Sequence, residues 1–189
     1  MQWRNQTDRW GMTAVVLHWL VAMLVFGLFA LGWWMTDLGY YDSWYQRAPF
    51  IHKSIGLLLV LVVLARLLWR QFDAPPEPLL SHAKWEKVSA KWVHGLLYTV
   101  LLVIFISGYL ISTADGRAIS VFGWFEVPAT LQSIDEQEDV AGLWHWYAAC
   151  SLMALVAVHA LGALKHQFID KDRTLVRMFG RSTAADKTT

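Results

Sequence analysis

Four apolar stretches, residues 13–35, 51–69, 92–112 and 142–166, decide what this chain can fold into. Each is long enough to cross about 30 Å of hydrocarbon as a helix, and none contains an acidic residue. Lipid offers no partner to backbone N–H and C=O groups, which leaves helices or a closed barrel, and the stretches lack a barrel's alternation. The expected fold is an all-α membrane protein: a four-transmembrane-helix bundle forming one domain over residues 1–181, with the Ser/Thr/Ala/Lys tail, 182–189, disordered. Composition agrees, with 56% hydrophobic residues, only 16% charged ones and twelve tryptophans. A net charge of +1 gives no basic face of the size nucleic acid requires. The single cysteine, Cys150, excludes a disulfide framework or a thiolate metal site and is expected in the core.

Positive charge sets the orientation. Thirteen of the sixteen Lys and Arg residues fall on one side of the four stretches, including Arg66, Arg70, the lysines at 84, 87 and 91, and the run from Lys165 to Lys187. Only Arg47, Lys53 and Arg117 fall on the other. Because cationic loops resist translocation, both termini and the loop 71–91 are expected in the cytoplasm, while the loops 36–50 and 113–141 face outward. Trp33, Trp34, Tyr40, Tyr41, Trp44 and Tyr45 after the first stretch, with Trp144 and Trp146 opening the fourth, read as interfacial belts. The first stretch is longer than a signal-peptide core and lacks a small-residue cleavage pattern, so it is expected to be retained.

Histidines carry the chemistry. His145 and His159 are fourteen residues apart, which on a helix returns to within about 40° of the starting face and rises about 21 Å. Alternating helix direction brings His52 to the depth of His145 and His18 to that of His159. Four imidazoles at two matched depths suit two bis-histidine haems: one ring nitrogen ligates iron while the other needs a hydrogen-bond acceptor. Polar groups at such depth are costly and usually functional. With both axial positions filled, such a site favours one-electron transfer. Zinc or non-haem iron would want ligands converging at one level, often with carboxylates or thiolates. His94 and His166 near the cytoplasmic ends suit a haem propionate, a quinone or the interface, whereas His82, in a loop, is expected to be solvated. Arg66 and Arg70 suit propionates or headgroup anchoring. The glycines at 27, 32, 56, 95, 108 and 162 permit close helix approach or make room for a macrocycle, helix packing being the default.

The motifs Leu17-His18-Trp19-Leu20, His52-Lys53-Ser54-Ile55-Gly56, Ala65-Arg66-Leu67-Leu68-Trp69-Arg70 and Trp144-His145, with His159 fourteen residues on, resemble the bacterial cytochrome b561 family. Phe122-Gly123, Pro128 and the closing Lys171-Asp172-Arg173-Thr174-Leu175 with Arg177-Met178 extend the likeness to nearly the whole chain. The resemblance implies a dihaem protein of the bacterial inner membrane. Its outer haem b would lie on His52 and His145 and its inner one on His18 and His159, exchanging electrons with ubiquinone. One branch of the family acts as a superoxide oxidase. For that activity Arg47, Lys53 and Arg117 are the outward bases available to attract the anion, and the acidic group at 135–139 is an awkward neighbour. A quinone would dock at the inner haem, near Arg66, His94, Lys165 and His166. The alternative is a relay subunit serving a separate dehydrogenase or periplasmic redox partner, docked on Tyr40, Tyr41, Trp44 and Trp124. A scaffold or transporter without cofactor is the third reading.

Overall fold

The computed structural model describes residues 2–79, 81–131 and 134–180. The expected tail, 182–189, lies outside them, as do the charges of Arg181 and Lys187. Four long helices carry the fold: α1 (Met12–Met35), α2 (Arg47–Phe72), α3 (Lys84–Thr113) and α4 (Gln137–Phe168), and all four are long and apolar enough to cross a membrane. This is the mostly helical, four-span architecture expected of a membrane bundle. At 24 to 32 residues they outrun the apolar stretches, because polar turns continue the helix past the hydrocarbon. Pro49 sits in the first turn of α2, where its missing N–H is not needed. At the start of α3 the Ala83 N–H donates to Glu86 Oε2 (2.8 Å), half of a capping box. Helix α4 carries Glu138 and Asp139 in its first turn and Lys165 and His166 in its last, the arrangement the helix dipole favours.

The helices show little burial, and Met23, Phe26, Leu61, Leu64, Leu102 and Leu161 are exposed as lipid contacts would be. Cys150 is only partly buried, so the expected core position is not what it occupies.

The chain falls into two compact units. Unit 1 comprises Met1–Leu20, Val63–Leu97 and Met153–Thr189, and it includes the four-residue helix α5 (Thr174–Arg177). Its polar centre is Arg177, 6% exposed, whose Nη1 donates to Glu77 O (2.9 Å) and Nη2 to Thr7 O (3.4 Å). Burial pulls the guanidinium below its ordinary pKa while Asp8 and Asp172 oppose the shift; an arginine still keeps its proton. Asp73 holds the same region, accepting from the Asn5 N–H (3.0 Å) and the Trp69 indole (3.1 Å). Arg177 is thus a structural tie rather than only a topology anchor. Replacing it with alanine strands the Glu77 carbonyl and removes two charge-assisted hydrogen bonds, while Thr7 O keeps the Glu77 N–H (3.0 Å), so Arg177→Ala is expected to lower stability by about 2–3 kcal/mol, read as the midpoint of thermal unfolding in detergent.

Unit 2 comprises Val21–Val62 and Tyr98–Leu152. Within it β1 (Ile119–Val121) and β2 (Phe125–Val127) form an antiparallel hairpin, pairing Ile119 with Val127 and Val121 with Phe125. An all-α reading left these six residues as loop. Three-residue strands are too short for alternation to register, although β-branched and aromatic residues supply most of them. The Phe122-Gly123 turn takes left-handed backbone at both residues (φ 50° and 74°), which explains the glycine there. The Phe122 N–H donates to Ser54 Oγ (3.2 Å), fastening the hairpin to α2 two residues after His52. From α3, Tyr109 Oη donates to Pro128 O just after the hairpin (2.8 Å).

Candidate functional site

In unit 2, His52 on α2 and His145 on α4 face each other with ring centroids 6.2 Å apart and planes inclined by 70°. Each ring rests against a helix that carries glycine at the point of contact. A Cβ on Gly32 would lie 3.1 Å from His52 Cε1, and one on Gly108 would lie 3.1 Å from His145 Cε1. Ser107 orients the second ring. Its hydroxyl donates to Val103 O (2.7 Å), leaving Oγ to accept from His145 Nδ1 at 3.1 Å, and Ile104 O lies 3.1 Å from the same nitrogen. His145 therefore presents Nε2 away from α3, with its tautomer fixed by two acceptors. Nδ1 of His52 is buried with no hydrogen-bond partner.

Unit 1 repeats the arrangement. His18 on α1 and His159 on α4 stand 6.2 Å apart at 67°. Nδ1 of His18 is again buried without a hydrogen-bond partner. His94 lies 5.1 Å from the His159 ring, and the charge of Arg66 acts on both His18 and His159. Arg70 is near His94. The structure thus gathers His18, Arg66, His94 and His159 in one unit and His52 with His145 in the other.

Does this donor set fit haem iron? Two imidazoles on opposite faces of one metal, with bonds of about 2.0 Å and ring centres about 1.1 Å beyond each nitrogen, stand about 6.2 Å between centroids. Both pairs stand at 6.2 Å. The Nδ1 atoms of His18 and His52, buried without an acceptor, are not what a haem would satisfy, because a ring held through Nε2 still needs an acceptor at Nδ1. The glycines agree in part. Gly32 and Gly108 admit imidazoles, while a Cβ on Gly27, Gly56, Gly95 or Gly162 would meet nothing within 4 Å. Close helix approach, the default explanation, therefore does not account for those four.

Two of the residues expected near a quinone stand beside carboxylates. Lys165 pairs with Glu86 and with Asp170 (2.8 Å), and His166 Nδ1 lies 2.8 Å from Asp170 Oδ2 and 3.2 Å from Asp172 Oδ2. His82, expected to be solvated, has a side chain only 16% exposed: its Nε2 lies 2.9 Å from Asp172 Oδ2 and 3.0 Å from Thr174 Oγ1. The sequence separation of 90 residues hid this pairing. Burial pushes the Asp172 carboxyl up, but hydrogen bonds from Thr174 and His82 outweigh it and hold the group below its ordinary value. In the segment between α3 and α4, Arg117 is taken up by Asp115 (2.5 Å), leaving Arg47 and Lys53 of the three bases expected to face outward.

Residues 9–181 match a family model described as prokaryotic cytochrome b561. Cytochrome b561 homolog 2 of Escherichia coli K12 is 50% identical over 184 residues, covering 97% of this chain and 98% of that protein. A probable superoxide oxidase CybB of Yersinia pestis is 28% identical over 86% of this chain and 90% of its own length. A cytochrome b562 of Cereibacter sphaeroides is 29% identical over 87% of this chain and 90% of its own.

Proposed function

Since the chain belongs to the prokaryotic cytochrome b561 family, and so is a multi-pass electron-transfer haem protein, we propose that it holds two haems b and carries single electrons between the periplasmic side and the ubiquinone pool of the inner membrane. Haem iron held by two imidazoles supplies reversible one-electron exchange with no open position for oxygen. His52 and His145 would hold the outer group, His18 and His159 the inner one. The observation that carries this reading is the 6.2 Å opposition of both histidine pairs.

The chain's residues have separable tasks. Ser107 and Ile104 O fix the His145 ring and make it a more basic ligand, because an imidazole whose Nδ1–H is accepted by oxygen gains electron density. Stronger donation favours the oxidised metal. Ser107→Ala is therefore expected to raise the outer midpoint potential while leaving haem content unchanged, as measured by redox titration of the visible bands. Apolar side chains keep water from the sites, and Arg66 supplies positive charge beside the inner pair. His94 and Arg66 stand beside the inner pair, which makes the unit 1 end the better place for a quinone.

Whether turnover begins with superoxide is a separate matter. The Yersinia relative named as a probable superoxide oxidase supports that reading. A specific observation favours a relay: Arg117 is neutralised by Asp115, which weakens attraction of an anion, while Tyr40, Tyr41 and Trp124 stand at least 73% exposed on the outward loops, as a docking face for a redox partner would. Superoxide-driven ubiquinone reduction by the purified chain alone distinguishes them. Sustained turnover establishes the oxidase; none, in a sample that retains its haems, establishes the relay.

A further inference from the structure

Around the last turn of α4, two histidines and three carboxylates from separate parts of unit 1 converge at one level. His82 comes from the segment before α3, Glu86 from the first turn of α3, His166 from the end of α4, and Asp170 and Asp172 from the segment that follows. From this geometry we infer a binding site for a divalent transition-metal cation, of which Zn2+ is the best fit, with His82 Nε2, His166 Nδ1 and Asp172 Oδ2 as the three protein ligands and the fourth position left to water.

The spacing is that of a small coordination shell. Ligand atoms of His82, His166 and Asp172 lie within 4.8 Å of one another, as do those of Glu86, His166 and Asp170. In a tetrahedral zinc site with bonds of about 2.0–2.1 Å, ligand atoms stand about 3.3 Å apart. Here the separations are 2.9 Å (His82 to Asp172) and 3.2 Å (His166 to Asp172). A few tenths of an ångström of outward movement would seat the ion.

Hydrogen bonds account for His82, Glu86, Asp170 and Asp172 but leave one atom of the cluster over. His166 Nδ1 is buried and close to two carboxylate oxygens, yet makes a hydrogen bond to neither. Its ring lies 4.3 Å from the His82 ring, a pairing that would repel if both were protonated. Lys165 faces Glu86 and Asp170, and the Arg177 guanidinium acts on Asp172 from farther off, so the three carboxylates outnumber the cations around them by one.

The backbone is shaped to the same end. Lys171 takes a left-handed conformation (φ 53°), which a residue with a side chain seldom adopts, and the turn sends Asp170 and Asp172 to the same imidazole. The Thr174 N–H donates to Asp172 Oδ1 (2.8 Å), leaving Oδ2 for the shared position. Imidazole with carboxylate, and no thiolate, selects zinc and its neighbours over magnesium or calcium, which prefer oxygen alone. The site is separate from the haem ligands and does not rest on them.

The test is equilibrium dialysis of the tag-free, haem-loaded chain against ZnCl2, with zinc counted against haem iron by elemental analysis. One zinc per chain is expected. His82→Gln and Asp172→Asn should each weaken binding at least about 10–100-fold, the range that even supporting residues of metal sites command. Lys165→Met, which removes the competing cation, should tighten it. An unchanged haem spectrum in each variant shows that the chain has folded. Absence of stoichiometric zinc, affinity unaltered in His82→Gln and Asp172→Asn, or displacement by an excess of Mg2+ would each overturn the assignment.

Discussion

Replacing His52 with alanine is expected to halve the haem content of the purified chain, from two haems b per polypeptide to one, as measured by the pyridine haemochrome assay. The outer pair gives the cleaner result, because His52 and His145 are the only histidines of unit 2 and no third imidazole stands ready to substitute. Loss of one ligand also opens the iron to water, so any haem retained should turn high-spin. Quinone reduction driven from the outer side should fall at least about 100-fold, since a missing carrier interrupts the relay instead of slowing it. The inner pair behaves differently. His94 lies 5.1 Å from His159, near enough for its imidazole to replace the missing ligand. His18→Ala is thus expected to keep part of the inner haem with a shifted spectrum, and His18→Ala with His94→Ala to lose it.

Valine at Gly108 or Gly32 is expected to remove the outer haem while sparing the inner one, although neither glycine offers a ligand. A Cβ at either position would stand 3.1 Å from an imidazole carbon, tighter than most packed contacts, so the ring must give by a few tenths of an ångström. Gly108 also puts that Cβ 3.4 Å from His145 Nδ1, the atom Ser107 and Ile104 hold. A ring pushed off this line cannot keep both its hydrogen bonds and its aim. Alanine should cost about 1–3 kcal/mol of overpacking. At about 1.4 kcal/mol per decade that corresponds to a roughly 5- to 150-fold loss of haem affinity. Valine, whose branched methyls have nowhere to turn, should exceed it. The measurement is again haem per chain, paired with reduced-minus-oxidised spectra that report which haem remains.

The parts legible in the sequence were those written in short-range patterns. Hydropathy alone marks four helices, since 18 or more apolar residues in lipid have one backbone solution. The fourteen-residue step from His145 to His159, combined with alternating helix direction, names the two partners that the structure brings within 6.2 Å of each. Other features depend on contacts across the chain. Nothing near His82 announces Asp172, and charge counting alone assigns Arg177 to topology when its guanidinium ties Thr7 and Glu77 together. Gly32 and Gly108 cannot be told from Gly27 or Gly56 by sequence, because the difference lies in what faces them. The hairpin at Ile119–Val127 was hidden by its brevity. The closing Asp172 to Met178 motif gains a physical reading: Asp172 and Thr174 hold His82, Arg177 clamps the segment, and Met178 O accepts from the Trp19 indole at 3.0 Å.

The most direct test of the account is low-temperature electron paramagnetic resonance of the fully oxidised chain, with haem counted on the same sample. Imidazole planes inclined by 67° and 70° leave two of the iron d orbitals nearly equal in energy. The account therefore predicts two haems per chain, both low-spin and both giving strongly anisotropic ferric signals. A folded sample with one haem, with none, or with a high-spin signal of matching intensity would contradict it.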